Sequence, residues 1–152
     1  MVQYLNGEYY DGIVNFEMKR HGKGAHYYKS GDFYDGGWVN DSRKGHGRFC
    51  MSDGSEYIGE FNHDAANGKG TLVDADGTKF VNSKNNQGWF RNGRLQQKGK
   101  AYFKNGDSYK GFFKDGCFDG FGKMTYKQIK VSDFNSLEGL YKGQWKHGRR
   151  HG

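Results

Sequence analysis

The chain contains no proline, only two cysteines, and no apolar run approaching the ~20 residues of a membrane-spanning helix. Cys50 and Cys117 cannot form the disulfide framework of a small secreted domain, and we expect both thiols to be reduced. Only 34% of the residues are hydrophobic, which is too few for an ordinary globular core. These shortages argue against a disulfide-rich domain and against a helical membrane protein.

Glycine and aromatic residues are abundant instead. The sequence has 26 glycines, and 17% of its residues are aromatic. Aromatic rings bury a large area per residue, and glycine allows a ring or a second backbone to approach closely. The composition therefore predicts a thin structure in which rings pack over bare backbone.

A Tyr-x-Gly-x-Trp/Phe step recurs along the chain with a period of about 23 residues. Tyr34, Tyr57, Tyr109 and Tyr141 begin the clearest copies. A second signal, Gly-x-Gly, lies between successive copies, as at Gly45-His46-Gly47. A repeat of this length indicates one supersecondary unit per period, and each unit buries its apolar face against its neighbours.

Aligned on this step, the chain forms a single array of repeats with two incomplete ends. The fourth repeat is degenerate, because Asn86 stands in place of the tyrosine and Gln97 in place of the first glycine of Gly-x-Gly. Two insertions interrupt the period, at residues 80–85 and 127–137. We predict repeat units at residues 10–33, 34–56, 57–79, 86–108, 109–137 and 141–152.

Each repeat carries two turn signals, which leave room for two short strands. One signal is an Asx-Gly or Ser-Gly pair, such as Asp53-Gly54, and it predicts a type I′ hairpin turn. The other is a polar segment such as Asn40–Lys44, and it predicts a longer turn. No apolar i, i+3, i+4 stripe supports a helix.

Strand alternation predicts how the repeats pack. Because alternate strand residues share a face, Tyr34, Gly36 and Trp38 all point to one side of the sheet. Glycine weakens a strand, so its regular use implies that something large fills the space above it. We therefore predict an all-β fold in which the rings of one strand lie across the glycines of a neighbouring strand.

The segments Lys44-Gly45-His46-Gly47 and Asn67-Gly68-Lys69-Gly70, together with the tyrosine steps, resemble the MORN repeat (membrane occupation and recognition nexus). The resemblance extends over essentially the whole chain. It implies an elongated, twisted, single-layer antiparallel sheet of stacked hairpins, with the shape of a rod. It also implies a non-catalytic protein without a cofactor, and no Ser-His-Asp or paired-carboxylate arrangement emerges from the sequence.

The function that the resemblance implies is that of a scaffold that binds other proteins in a multisubunit assembly. The assembly that it suggests is cytoskeletal, with a radial-spoke-like part of a ciliary axoneme as the specific placement. We expect a cytoplasmic location, because the segment Met1–Gly7 lacks the charged and apolar regions of a signal peptide.

Two other functions stay open. One is a module that tethers its protein to membranes rich in acidic phospholipid. The other is a regulatory segment of a larger enzyme, which would continue beyond Gly152 because the chain stops inside its sixth repeat. Hairpin repeats that bind choline or sugars are disfavoured by the strict phase of the tyrosines and glycines.

The repeat aromatic residues have two interpretations. They can form the core of a single-layer sheet, or a subset can line a groove that binds a helix or strand of a partner. The rings expected on this face are Tyr34, Trp38, Tyr57, Phe61, Phe90, Tyr109, Phe113, Tyr141 and Trp145. The glycines expected to have a structural role are Gly36, Gly45, Gly47, Gly59, Gly68, Gly70, Gly111, Gly120, Gly122 and Gly143.

The net charge of +7 is unevenly distributed. Residues 1–80 carry 9 Lys and Arg against 12 Asp and Glu, whereas residues 81–152 carry 15 against 5. This basic second half predicts contact with an acidic surface, either of a protein or of anionic lipid headgroups. The expected contact residues are Arg43, Lys44, Arg94, Lys98, Lys100, Lys110, Lys114, Arg149 and Arg150.

Nucleic acid and metal ions are both disfavoured as ligands. Basic and aromatic residues together are typical of nucleic-acid binding, but here the repeat itself accounts for the rings. His46 and Cys50 are the closest pair of metal-binding residue types. Because no paired motif of a zinc site accompanies them, we expect no metal.

Overall fold

The computed structural model describes residues 1–82, 88–129 and 137–152 of the chain. These residues form fourteen strands and contain no helix, so no helix among them could cross a membrane. In chain order the strands are β1 (Val2–Gln3), β2 (Tyr9–Val14), β3 (Arg20–Tyr27), β4 (Phe33–Val39), β5 (Ser42–Cys50), β6 (Glu56–Asn62), β7 (Ala65–Val73), β8 (Lys79–Asn82), β9 (Gly88–Arg91), β10 (Arg94–Tyr102), β11 (Ser108–Lys114), β12 (Cys117–Ile129), β13 (Leu137–Lys146) and β14 (Arg149–His151).

All fourteen strands belong to one antiparallel sheet. Consecutive strands are neighbours from β1 to β8 and from β10 to β14. β8 and β9 share the remaining place, because both pair with β7 on one side and with β10 on the other. The predicted all-β stack of hairpins is therefore confirmed, and equivalent positions of successive repeats lie side by side in the sheet.

A row of glycines crosses the strands. Gly36 pairs with Gly24 on one side and with Gly47 on the other. The row continues along the sheet before and after β8, which contributes Asn82 at this position. Its other glycines are Gly12, Gly59, Gly70, Gly99, Gly111, Gly122 and Gly143. The row is a strip of bare backbone on which side chains can rest directly.

The repeat tyrosines lie over this strip. The Tyr34 ring covers Gly36 and Gly47, and a methyl group at Gly36 would come within 2.5 Å of the tyrosine hydroxyl oxygen. Tyr57 and Tyr109 occupy the same place in their own repeats. The predicted packing of rings over glycines is therefore confirmed, and each of these rings needs two glycines on adjacent strands.

The first glycine of each Gly-x-Gly has a different role. Gly45 has a φ of 79°, and Gly68 and Gly120 are also left-handed. Beside Gly45 the register slips, because three residues of β5 oppose the single residue of β4 between Gly36 and Trp38. This glycine thus permits a β-bulge, which recurs in successive hairpins.

The two kinds of turn have the opposite types to those predicted, except at the turn of residues 15–19 in the first repeat, where only Met18 is left-handed. At the first Asx-Gly turn, Gly7 N donates to Tyr4 O at 3.1 Å and Tyr4 N donates to Glu8 O at 2.8 Å. Of its three loop residues only Gly7 is left-handed, so this is a type I turn followed by a glycine bulge. The turn predicted to be longer is the type I′ turn, since Asn40 and Asp41 have φ values of 47° and 69°. Both turn predictions are wrong, because Asn and Asp also tolerate the left-handed region.

The fourth repeat begins earlier than its sequence suggested. Phe80 pairs with β7 and β10 in the register of a repeat tyrosine. Phe90 has the register of the tryptophan in the second repeat. The first insertion therefore lies inside the first strand of the repeat, between β8 and β9, and not before it. Asn86, the predicted replacement for the tyrosine, lies outside the described residues, as do residues 83–85 and 130–136 of the two insertions.

Gln97 occupies the bulge position that glycine fills in other repeats, and its φ is 60°. A left-handed conformation costs a residue with a side chain about 1–2 kcal/mol, although the freedom of glycine in the unfolded chain offsets part of any gain. We expect Gln97→Gly to raise the free energy of unfolding by about 0.5–1 kcal/mol, as measured by urea denaturation. Lys98→Gly, at the next strand residue, is the control and should lower it. Destabilisation by both variants would contradict the strain assigned to Gln97.

Candidate functional site

The face of the sheet that carries the repeat tyrosines forms the core of the protein. Tyr34 is fully buried, while Trp38 and Phe61 expose 2% and 4% of their surface. Tyr34 meets both rings edge to face, with centroids 5.1 and 5.0 Å apart. Similar contacts recur along the sheet from Tyr10 to Tyr141. Because this is a preferred geometry of aromatic pairs, the contacts form a ring ladder that holds neighbouring repeats together.

Each repeat tyrosine also satisfies its hydroxyl group. Tyr34 donates to the carbonyl oxygen of Gly37 at 3.0 Å, and Tyr109 donates to that of Phe112 at 3.0 Å. Burial raises the pKa of Tyr34 and that of Tyr109 to about 12. Both phenols are therefore neutral donors near pH 7, and the hydrogen bonds hold the rings over the glycines.

The rings predicted to contact a partner are mostly inaccessible. Eight of the nine expose 6% of their surface or less, and Tyr141, which is half-buried, is the exception. Their packing in the core is observed, as one of the two interpretations of the sequence expected. Contact of a partner with this face stays a prediction.

Arginine side chains cover part of the ring ladder in the first half of the chain. Arg20 Cζ lies 4.2 Å from the Trp38 ring centroid. Its Nε donates to Asp41 Oδ1 at 3.0 Å, and Asp41 belongs to the type I′ turn of the next repeat. A single arginine thereby covers a ring and ties two repeats together.

Arg43 repeats this arrangement one unit later. Its Cζ lies 4.7 Å from the Phe49 ring centroid, and its guanidinium donates to the carbonyl oxygen of Asp64. We expected Arg43 to contact an acidic partner. In the structure its charge lies against the turn of its own chain, because the strand register brings Asp64 beside it, and contact with an acidic partner stays a prediction.

His26, which no sequence motif singles out as a site residue, is buried beside Arg20. An Nη atom of Arg20 lies 3.0 Å from His26 Nδ1, and Glu8 Oε2 lies 3.1 Å from His26 Nε2. Since a guanidinium can only donate, Nδ1 accepts a hydrogen bond from Arg20 and the Nε2–H group donates one to Glu8. Burial lowers the pKa of His26, an effect that Glu8 opposes and Arg20 strengthens. His26 lies two residues after Gly24 in the same strand, and this spacing in the sequence could have placed it on the ring face.

The opposite face carries four lysines in a row in the second half of the chain. Lys100 pairs with Lys110, Lys110 with Lys123, and Lys123 with Lys142. Neighbouring strands lie about 4.8 Å apart, so these side chains stand next to one another. We name these four residues the lysine row. Like charges directly opposite one another destabilise a sheet, so the row has a cost in stability.

Positions equivalent to the lysine row carry negative charge in part of the first half of the chain. In the first half of the chain, Asp11 and Asp35 follow their repeat tyrosines as Lys110 and Lys142 do later. Among the described residues, the ion pairs all lie between residues 1 and 64. The lysine row therefore has no carboxylate partner within the described part of the chain.

Partly exposed rings lie among these lysines. Lys98 Nζ lies 5.1 Å from the Phe112 ring centroid, and Lys142 Nζ lies 5.9 Å from that of Phe121. Phe112 and Phe121 expose 40% and 47% of their surface. The outer face of the second half thus combines positive charge with aromatic surface, and we name it the lysine face.

The structure separates the cations that we expected to contact an acidic partner. Those on the lysine face are Lys98, Lys100, Lys110, Lys114, Arg94 and Arg149. Arg150 lies on the ring face with its Cζ 4.7 Å from the Tyr141 ring centroid, and Lys44 is exposed at a bulge. Lys123 and Lys142 were missed. Strand alternation could have found Lys142, because it follows a repeat tyrosine as Lys110 does.

The described residues contain no group of three or more His, Cys, Asp or Glu side chains that could hold a metal ion. Cys50 Sγ lies 3.4 Å from Glu56 Oε2. Burial raises the pKa of the Cys50 thiol, and the hydrogen bond to Glu56 adds to this, so the group is a neutral donor near pH 7.

Comparison with known families agrees with the geometry of the repeats. The family model described as MORN repeat matches residues 19–33, 34–56, 57–79, 109–128 and 141–152, which together are more than half of the chain. The second and third matches begin at Tyr34 and Tyr57, where the structure begins its ring ladder contacts in those repeats. A search of curated proteins found no match.

The buried histidine predicts a pH dependence of stability. Because its folded-state pKa lies below the ordinary 6.5, the unfolded chain binds the proton more readily. The contribution of neutral His26 to the stability of the fold is fully present above pH 6.5, and it is lost as the pH falls through the folded-state pKa. We expect the free energy of unfolding from urea titrations to decline below that pH, by at most about 1.4 kcal/mol per pH unit.

The matched variant is His26→Leu, which removes the titrating group from the ring face. It should remove the decline between neutral pH and pH 5, while the loss at lower pH, where carboxylates that His26 does not contact, such as Asp32 and Asp41, become protonated, persists. An unchanged decline between neutral pH and pH 5 in this variant would show that another group is responsible.

Proposed function

Because this chain belongs to the MORN-repeat family, we propose that it is a non-catalytic scaffold that joins other proteins into a larger assembly. MORN repeats are generally modules for contact with proteins or membranes. The single sheet suits this role, since its outer face presents side chains from many strands at fixed spacing.

The observation that carries the proposal is the lysine row. Four like charges on neighbouring strands oppose one another, and described carboxylates do not neutralise them. A partner that brings carboxylates to this face would remove the repulsion and gain charge-assisted contacts. We therefore propose that the second half of the chain binds an acidic protein surface.

The aromatic rings of the lysine face favour a protein over a bilayer as this partner. Phe112 and Phe121 are only partly exposed, and lysine ammonium groups lie within 6 Å of their ring centroids. A membrane-inserting ring needs to project beyond its neighbouring charges into the headgroup region. Rings that lie close to lysine ammonium groups suit instead a protein interface, where aromatic residues are enriched.

The assembly that we propose is cytoskeletal and cytoplasmic, with a radial spoke of a ciliary axoneme as its specific form. The support for this placement is the resemblance to MORN scaffolds of that kind. Cross-linking mass spectrometry on the native assembly tests it, and we expect links from the lysine face to acidic segments of axonemal neighbours. Links confined to residues 1–80 would contradict the proposed role of the second half.

The lysine row makes a direct binding prediction. We expect the intact chain to bind a fluorescein-labelled deca-glutamate peptide in a fluorescence anisotropy titration at low ionic strength. Changing Lys100, Lys110, Lys123 and Lys142 to glutamine should weaken binding by about tenfold or more, because the four charges act on one partner surface.

The control removes the same charge from the first half of the chain. Lys23, Lys44, Lys69 and Lys79 are exposed, and changing all four to glutamine should weaken binding by less than about threefold. Equal weakening by both sets would show that net charge alone attracts the peptide, and would overturn the proposal. Binding to phosphatidylserine vesicles without binding to the peptide would assign the face to membrane tethering instead.

A further inference from the structure

One position in each repeat determines how completely the ring ladder is covered. It is the residue that pairs with the last residue of the tyrosine step, as Arg43 pairs with Trp38, and we name it the cover position. The cover residues are Arg20, Arg43, Ala66, Leu95, Phe118 and Arg150. Five of these six described residues are large, and Ala66 is the one small side chain.

The small side chain of Ala66 leaves a cavity of about 490 Å³ on the ring face. Its apolar lining includes Tyr57 and Leu72, and its polar lining includes Asp53 and Asp74. The cavity thus opens beside the ring ladder, where Leu72 is half-buried, while Tyr57 itself exposes 3% of its surface.

The cavity corresponds to the space that Arg43 fills in the preceding repeat. Tyr34 and Phe49 pair with each other beneath the Arg43 guanidinium. Tyr57 and Leu72 form the equivalent pair in the next repeat, and both line the cavity. The third repeat therefore keeps the apolar floor of this site.

The backbone around the cavity is also preserved. Gly93 N donates to Ala66 O at 3.1 Å, just as Asp64 N donates to Arg43 O at 3.3 Å. The backbone pairing is thus the same in both repeats, but Ala66 stands in place of Arg43 and Gly93 in place of Asp64. The third repeat lacks both members of the arginine–aspartate link.

The lining of the cavity has an excess of negative charge. Asp53 and Asp74 line it, whereas Arg43, the one lysine or arginine among the lining residues, is bonded to Asp64. Burial raises the pKa of Asp74, and the nearby carboxylates of Asp76 and Asp53 add to this. A cation in the cavity would offset the repulsion.

We propose that this cavity binds an arginine side chain from a basic segment of a partner protein. Phe49 and Leu72, both half-buried in the lining, offer apolar surface for the planar guanidinium to pack on, and the two carboxylates can accept its hydrogen bonds. The chain itself uses arginine for this purpose in two neighbouring repeats. Lysine fits less well, because its ammonium is a compact and strongly hydrated charge.

This contact is separate from the lysine row. The cavity lies on the ring face within residues 43–93, whereas the lysine row lies on the opposite face in the second half. The two sites attract charges of opposite sign. The glutamine variant of the lysine row should therefore leave arginine binding unchanged, so that either proposal can fail alone.

The probe is the capped peptide acetyl-Gly-Arg-Gly-amide, titrated into the ¹⁵N-labelled chain. We expect saturable shifts of the Ala66, Leu72 and Gly93 amide signals. The peptides with leucine or lysine in the central position should bind at least about fivefold more weakly, because each lacks the planar cation. Equal binding of the leucine peptide would overturn the proposal, since the cavity would then be a general apolar site.

Two variants test the site itself. Ala66→Arg with Gly93→Asp copies the Arg43 and Asp64 arrangement, and it should fill the cavity and weaken arginine binding by about tenfold or more. Ala25→Arg is the matched control, because residue 25 pairs with Asp35 on the opposite face of the sheet, and it should leave binding unchanged.

The second variant keeps the cavity open and removes its charge. Asp53→Asn with Asp74→Asn conserves side-chain volume and should abolish the preference for arginine over leucine. An arginine peptide that shifts the same amides equally in the native chain and in both cavity variants would show that the cavity is not its site.

Discussion

The packing of a tyrosine ring over a pair of glycines is the contact on which the rest of this structure depends. Tyr34 covers Gly36 and Gly47, which lie on adjacent strands, so one ring joins the two strands of a hairpin. A single-layer sheet has no second layer to cover it, and large rings supply the buried area that it needs. The glycines must be bare because a methyl group would collide with the ring. The glycine row and the ring ladder both follow from this requirement.

The two faces of the sheet differ in role, because the ring face forms the core and the opposite face is exposed to solvent. Apart from the cavity beside Ala66, the ring face is covered by its own side chains, through Arg20 and Arg43 in the first half and through Leu95 and Phe118 in the second. Arginines at cover positions of the first half bond to turns of their own chain, whereas the lysine row on the outer face has no carboxylate partner among the described residues. The positive charge available to a partner therefore depends on which cations already contact carboxylates of the same chain, as well as on the number of Lys and Arg residues.

The fourth repeat shows what happens when this constraint is relaxed. Phe80 holds the register of a tyrosine but has no hydroxyl group to bond the backbone. The Leu95 side chain takes the place of the ring over Gly99. With a smaller covering side chain and an interrupted first strand, this repeat departs from the pattern that sequence alignment relies on. Its pairing with β7 and β10 nevertheless keeps the sheet continuous.

The sequence by itself determined the all-β class, the period and the packing of rings over glycines, because these depend on strand alternation and on side-chain size within a few residues. It assigned the two turn types in the wrong order and started the fourth repeat at Asn86, since loop length depends on how whole strands pair. Only the tertiary structure decided that Arg43 turns toward Asp64, that lysines form a row and that Ala66 leaves a cavity. These contacts join residues that lie between ten and 27 positions apart in the chain, and each bulge shifts which residues meet.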